Sequence, residues 1–314
     1  MADISRSEVS TIIQEEYGSV LLDAAVSNSA ALQAFRTVDM GTKTQNLPVL
    51  ATIPEAEFVT ETGEGSTKPT AQATWGNKQL VAEEIAVIVP VHENVVDDAT
   101  EDILDEITRQ GGAAIGRKLD GAVLFGTDKP VSWTSDSLFE AADDASQTVT
   151  VGDVEDGEDI GGGILIAAGL VDESGWDPTA LLAPRGLRFR IANMRDANGA
   201  TIFTPAMRDA DGSFDDFAGL QARWVSGRVW DRDEAEALVV DAERVIIGVR
   251  QDVTVKLLTE ATLTDGEGTL NLAERDMIAL RFKARYAYVL GNTLNDEGAA
   301  QVPVAAVTPT VASS

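Results

Sequence analysis

The chain has 314 residues, room for two ordinary domains or one elaborated one, and its 52 acidic against 24 basic residues give a net charge of −28. That balance excludes a nucleic-acid grip built on clustered Lys and Arg, and it fits a surface that DNA slides past. The absence of cysteine excludes disulfides, thiol nucleophiles and Cys-based metal sites.

The first residues, Met-Ala-Asp-Ile-Ser-Arg, lack a basic region followed by an apolar run, so no signal peptide is read. The most apolar stretch, Gly161 to Leu170, is too short and too glycine-rich to span a bilayer. A soluble protein with no membrane partner is expected.

Residues 4–26 place Val9, Ile12, Ile13, Tyr17, Val20, Leu21 and Ala24 at helical spacing. Residues 27–46 are polar and turn-prone, with a short helical patch from Ala31 to Phe35. A long extended hairpin follows over 47–91. Its arms are Leu47–Ile53 and Gln79–Val91, and its turn-rich tip is Thr62-Gly-Glu-Gly-Ser-Thr-Lys-Pro69. A hairpin alone is marginal in water. Arms of about 14 residues reach ~45 Å, beyond the edge of an ordinary domain. Such an arm needs something to lie on, and a neighbouring copy of the chain is the simplest support.

Asp98 and Glu101 stand at capping-box spacing ahead of a helix over about 98–125. Its apolar stripe is Ile103, Leu104, Ile107, Ala114, Ile115, Leu119, Ala122 and Val123. Gly111, Gly112, Gly116 and Gly121 interrupt it, each costing about 1 kcal/mol against Ala. They point to close backbone packing or to a bend, the bend being assigned to Gly111, Gly112 and Gly116.

From Val131 to Pro184 there are twelve Asp and Glu and no Lys or Arg, a composition shift that marks a domain boundary. Gly161 to Asp172 is helical in pattern, Ala180–Pro184 is a short buried strand, and Leu187–Met194 is a basic helix ended by Asn198-Gly199. Gln221–Val225, Ala237–Asp241 and Val245–Gly248 read as strands. Val253–Leu258 and Met277–Leu290 are two more, with Asp265-Gly266 in the turn region between them. In the second, Ile278, Leu280, Phe282, Ala284, Tyr286 and Tyr288 point one way, and Arg281, Lys283 and Arg285 the other. The tail after Glu297, rich in Ala, Val, Pro and Thr, is expected to be mobile.

Motifs for chemistry fail one by one. His92 begins His-Glu-Asn-Val-Val, and Val96 stands where a zinc protease needs its second His. No Gly-x-Ser-x-Gly elbow accompanies it. The acidic runs Asp153–Asp159 and Asp209–Asp216 lack the ligand spacing of an EF-hand, and Gly161-Gly-Gly163 has no following Lys-Ser or Lys-Thr. No catalytic residue, cofactor or metal is assigned. The ladder Arg281, Lys283, Arg285 is more telling, because like charges along one strand face repel and need counter-charges. Glu55, Glu57, Glu61 and Glu64 on a neighbour's hairpin are expected to supply them, with local partners such as Asp276 as the alternative.

Taken in order, Leu47-Pro-Val-Leu with Ala56–Glu61, Ile85–Asp98, Lys118–Gly126, Ala180–Pro184, Asn198-Gly199, Ala237–Asp241 with Val245–Gly248, and Ile278–Tyr286 resemble the major capsid protein family of tailed double-stranded-DNA phages. This is the Hong Kong 97-type family. The resemblance covers nearly the whole chain. It implies an α+β fold of six parts: an N-terminal arm (1–46), an extended loop (47–91), a peripheral domain with the spine helix (92–150), an axial domain (151–251), peripheral return strands (252–298) and a flexible tail (299–314). It also implies a structural protein, not an enzyme, that self-assembles into hexamers and pentamers and forms an icosahedral head shell in the virion. The shell encloses double-stranded DNA without reading its sequence and is assembled in the host bacterial cytoplasm as a precursor that expands. The chain begins almost at the arm helix, so scaffolding is expected from a separate protein, with a portal and a decoration protein as further partners. Some members cross-link a loop Lys to an Asn on a neighbour; Lys68, Lys78, Asn292 and Asn295 are of suitable type but no motif fixes the match, and of these the two lysines join the inter-subunit set. The competing readings are an encapsulin-like compartment shell, a monomeric acidic hydrolase, and an acidic DNA mimic or ion-binding protein.

Overall fold

The computed structural model describes residues 29–52, 74–97, 103–152, 159–194, 216–265, 268–291, 294 and 301–310. In chain order, helix α1 (Ala30–Ala34) and strand β1 (Arg36–Asp39) lead into a hairpin of β2 (Thr44–Thr52) and β3 (Thr74–Val81). Strand β4 (Glu83–His92) and the short α2 (Glu93–Asp97) precede the long helix α3 (Ile103–Phe125). Next come α4 (Leu138–Asp144), β5 (Thr148–Thr150), α5 (Ile160–Glu173), β6 (Ala180–Pro184) and α6 (Leu187–Ala192). They are followed by β7 (Asp216–Phe217), β8 (Leu220–Val225) and β9 (Ala237–Val240). Two long strands, β10 (Val245–Leu258) and β13 (Met277–Leu290), flank a small hairpin of β11 (Thr262–Asp265) and β12 (Gly268–Asn271). Strand β14 (Val304–Thr308) comes last.

The strands form two principal sheets. One is four-stranded, in the order β1-β10-β13-β4, and the other six-stranded, in the order β5-β14-β9-β6-β8-β7. Helix α3 packs on one face of the first, where Ile115, Leu119, Ala122 and Val123 join Leu280, Phe282, Ala284, Tyr286 and Tyr288 of β13 in one core. The helical stripe and the strand alternation read from the sequence meet face to face. Helix α5 covers the second sheet, with Ile160, Ile164, Ala167 and Val171 buried against Leu181, Val239 and Val307. The α+β architecture follows from this pairing of one-sided helices with one-sided sheets.

Four expectations need correction. The extended loop does not run to residue 91. The β2/β3 hairpin ends at Val81, and Glu83–His92 pairs along its length with β13 instead. The apolar alternation is continuous through this stretch, so only the change of partner marks the break. Val245–Gly248 does not belong with the axial strands, because it is the first part of β10, which pairs with β13 from Val245↔Leu290 onward. The charged Arg250-Gln251-Asp252, at which the strand reads as ended, coincides with register shifts between Val249 and Thr254. The expected peripheral stretch 92–150 ends in β5, which pairs with β14 in the six-stranded sheet. Finally, the chain at 301–310 is no mobile tail. Strand β14 lies between β5 and β9, and Val304, Ala305, Ala306 and Val307 are fully buried.

Of the expected arm, residues 29–43 are part of the body. β1 pairs in parallel with β10, and α1 caps itself with Ser29, whose hydroxyl accepts from the Leu32 N–H. The helix expected over 4–26 lies outside the described residues.

Candidate subunit interface

The outer face of the four-stranded sheet is set by the period-two alternation of β13. Its inner side chains pack on α3, which leaves Arg281, Lys283 and Arg285 on the other side. Their cross-strand neighbours are now fixed. Arg281 lies opposite Ile88 of β4 and Lys256 of β10, Lys283 opposite Ala86 and Thr254, and Arg285 opposite Glu84 and Gln251. The Lys283 ammonium reaches diagonally to Glu84 at 2.6 Å. The local acid is therefore Glu84, not Asp276. Arg281 and Arg285 form no ion pair among the described residues, and the Nε of each is buried without a hydrogen-bond partner. Lys256, directly across from Arg281, adds a fourth cation, an arrangement that repels. Beside these charges β4 presents Ala86, Ile88 and Pro90 to solvent, Ile88 being 41% exposed. The face is a cationic strip with an apolar border on a chain of net charge −28.

The acids expected to meet this strip, Glu55, Glu57, Glu61 and Glu64, lie outside the described residues, as does Lys68. The root of their hairpin is well fixed. Met40, Leu80 and Ala82 pack on Ala287 and Val289, the outward residues at the C-terminal end of β13. Trp133 donates its indole N–H to the Val81 carbonyl at 3.0 Å, and Ser132 donates to Glu83 at 2.9 Å. Farther out, Trp75 is 68% exposed.

Lys78, a candidate for inter-subunit contact, is engaged within its own subunit. Its ammonium donates to the Leu290 carbonyl at 2.7 Å within its own subunit, and burial pulls its pKa below the ordinary lysine value, with Asp136 acting the other way. Asn292 and Asn295 lie outside the described residues.

The spine glycines resolve unequally. A Cβ on Gly111 would stand 2.7 Å from two carbons of the Phe282 ring, so this glycine lets helix and sheet approach closely. A Cβ on Gly121 would meet only ordinary contacts, at 3.7 Å to Thr127 and 3.8 Å to Val229. Gly112 and Gly116 are buried within the same unbroken helix.

One buried group was missed by sequence reasoning. Asp120, fully buried on α3, accepts from the Ser29 hydroxyl at 2.7 Å, the Ala30 N–H at 2.9 Å and the Ala31 N–H at 3.0 Å. Burial raises its pKa to about 6, against the pull of these three donors. The signal was present, since Asp120 stands next to Leu119 and two positions before Ala122 on the apolar stripe, but nothing in the sequence names its partner. His92 closes β4 opposite Met277. Among the described residues, no group of three or more His, Cys, Asp or Glu could hold a metal ion, and no helix is long and apolar enough to cross a membrane.

Comparison with known proteins places this architecture. The sequence model of the phage capsid family matches residues 10–293. The major capsid protein of Staphylococcus phage 80alpha is 22% identical over 274 residues, which are 86% of this chain and 78% of that protein. A solved structure from Mycobacterium phage Bobi shares 53% identity with a TM-score of 0.78, covering 99% of this chain and 100% of that one. One from Mycobacterium phage Adephagia shares 49% identity with a TM-score of 0.80, covering the whole of both chains. The capsid of a native GTA particle shares the fold alone, at 13% identity and a TM-score of 0.61, over 92% of this chain and 90% of that one. With a family match across nearly its whole length and close phage structures superposing along all of it, the chain belongs to the phage capsid family and is a major capsid protein that forms the shell of a phage head.

Proposed function

We propose that copies of this subunit associate as hexamers and pentamers into a closed icosahedral shell around packaged double-stranded DNA. Neighbours are held in part by the acids of one hairpin on the cationic strip of the next subunit. The observation that carries this contact is the strip itself: Lys256, Arg281 and Arg285 crowd one sheet face on which, among the described residues, the ion pair formed is that of Lys283 with Glu84. A chain with 52 acids has no shortage of counter-charges, and Glu55, Glu57, Glu61 and Glu64 lie together on the segment that joins β2 to β3. Exposed pairs contribute under ~1 kcal/mol each, but a closed shell repeats them at every neighbour. The acid excess suits a wall that packaged DNA touches without sticking.

Assembly in the bacterial cytoplasm on a separate scaffolding protein, around a portal and with a decoration protein outside, completes the reading. No enzymatic step is assigned to the chain. Gly112 and Gly116 are the positions at which the spine helix would bend if the shell expands from a precursor. Negative-stain electron microscopy of the purified protein, with size exclusion beside it, tests the shell. Closed particles or capsomer rings are expected, and a monomer that persists with its co-expressed partners would overturn the reading. Arg281→Glu combined with Arg285→Glu tests the contact. Folded subunits that no longer form shells are expected, and normal assembly would remove the strip from the interface.

A further inference from the structure

Helix α3 places Arg117 and Lys118 on the arc that also carries Ala114 and Gly121, apart from Ile115, Leu119 and Val123 in the core. Arg228 comes from the turn between β8 and β9. With Thr127 they line a cleft of 280 Å³, and no Asp or Glu lines it among the described residues. Lys118 is already engaged, its ammonium bound to Asp128. The side chains of Arg117 and Arg228 form no hydrogen bond or ion pair among the described residues, and the Thr127 hydroxyl has no partner there either. The setting is rigid. The Val229 and Trp230 N–H groups donate to the Ser226 carbonyl at 3.0 and 3.3 Å. Trp230 is buried edge-on to Phe125 at the end of α3, with ring centroids 5.1 Å apart, and its indole N–H donates to the Ala235 carbonyl at 2.6 Å. One aromatic contact therefore fixes the turn that bears Arg228 against the helix that bears Arg117. Small residues keep the floor open, and a Cβ added at Gly121 would meet nothing nearer than 3.7 Å.

We propose that this cleft binds a phosphate group, held by Arg117 and Arg228 with the Thr127 hydroxyl as a neutral donor. With 52 acids for 24 bases, the chain has more than two acids for every cation. Two arginines left unanswered in a preformed cleft are accounted for by an anion that comes from outside the chain. Both are arginines, whose planar forks match the oxygens of a phosphate in pairs, which a lysine does not do. The phosphate has two sources, a free ion or the backbone of DNA. Only the second rests on the shell reading above. There the cleft gives each subunit a single point contact with the packaged duplex, on a wall whose remaining charge repels it. Such a contact fixes position and reads no sequence.

Isothermal titration of the isolated subunit with sodium phosphate, in a chloride buffer of matched ionic strength, tests the site. One phosphate per subunit is expected. Arg117→Gln and Arg228→Gln should each weaken binding about tenfold or more, as the loss of charge-assisted bonds requires. Arg275→Gln removes the same charge from an exposed position outside the cleft and should leave binding unchanged. Arg228 is exposed on its turn, so Arg228→Gln should melt with the wild type, and binding lost in it reports the side chain and not unfolding. A wild type that binds no phosphate, or binding that survives both cleft substitutions, overturns the proposal. A short DNA duplex added to the phosphate-loaded subunit then separates the sources. Displacement of phosphate by the duplex, absent in Arg228→Gln, assigns the cleft to the DNA backbone. Phosphate binding that the duplex leaves untouched assigns it to the free ion. Neither arm needs a shell, so a chain that binds phosphate and never assembles loses the shell reading and keeps the site, and a chain that assembles without binding phosphate does the reverse.

Discussion

The Asp120 carboxylate accepts a 2.7 Å hydrogen bond from the hydroxyl of Ser29, 91 residues earlier, and so ties the first described turn of the chain to the middle of the spine helix. With its two backbone bonds to Ala30 and Ala31, it satisfies donors that α1 would otherwise leave unpaired. No charged side chain contributes to its shifted pKa, which is set by burial against three uncharged donors. The folded chain, with a pKa of about 6 against an ordinary 3.8, holds this proton more tightly than the unfolded chain. Between pH ~4 and ~6 the unfolded chain ionises first, so stability falls as pH rises. The loss is on the order of 3 kcal/mol across that window, with no further change above it. Asp120→Asn cannot titrate. Urea unfolding of the isolated subunit should therefore show a wild-type minus variant difference that declines from pH 4 to 6.5, and a flat difference refutes the assignment. Asp120→Ala strands all three donors and should cost about 3 kcal/mol or more at any pH.

Two glycines on the same helix should respond in opposite directions to the same substitution. Gly111→Ala gains about 1 kcal/mol of helix propensity but drives a methyl to 2.7 Å from the Phe282 ring, where overpacking typically costs 1–3 kcal/mol. Phe282 is fully buried and cannot retreat freely, so a net loss of roughly 1 kcal/mol is expected. Gly121→Ala meets Thr127 and Val229 at ordinary contact distance and should keep most of the ~1 kcal/mol gain. Thermal unfolding of the two variants decides it. A loss of assembly in Gly111→Ala would reflect this packing, so the bending role is tested at Gly112 and Gly116 instead.

The C-terminal strand gives the sharpest contrast between composition and structure. Deleting residues 303–314 removes β14 from between β5 and β9 and leaves two interior edges unpaired. The buried side chains of Val304 and Val307 alone account for about 3–6 kcal/mol, comparable to the net stability of a domain. That truncation should yield insoluble or unfolded chain. Deleting only 311–314 should leave the melting temperature within a few degrees of wild type. A soluble, cooperatively folding product from the longer deletion would contradict the placement of β14.

Why that strand was not legible is physical. A strand buried on both faces loses its polar alternation, and Val-Ala-Ala-Val followed by Thr-Pro resembles a loop in composition. One-sided elements were legible for the converse reason: β13 alternates because α3 covers one face, and α3 shows a stripe because it covers β13. The division between β3 and β4 at Ala82 left no trace, since both strands alternate and only their partners differ. The candidate interface was half legible. Arg281, Lys283 and Arg285 declared themselves by spacing, whereas Lys256 and Glu84 enter only through cross-strand register, which no single strand encodes. Asp120 was hidden in the same way, because a buried carboxylate is explained by donors 89 to 91 residues distant.

The facing pair Lys256 and Arg281 separates subunit stability from assembly. In the isolated subunit, two cations directly across a strand pair repel, and replacing one with an acid should turn a penalty into an attraction worth roughly 0.2–1 kcal/mol. Lys256→Glu is therefore expected to raise the melting temperature of the free subunit by a few degrees at low salt, and the gain should shrink as salt screens the pair. The same change neutralises Arg281 from within the chain and removes a cation from the strip, so the acids of a neighbour meet a weaker field. Shell yield by electron microscopy should fall while thermal stability rises. A variant that gains stability and assembles as well as wild type would mean that the strip is a solvated face with its charges balanced at home. Loss of both would point to a packing role for the Lys256 side chain instead of an electrostatic one.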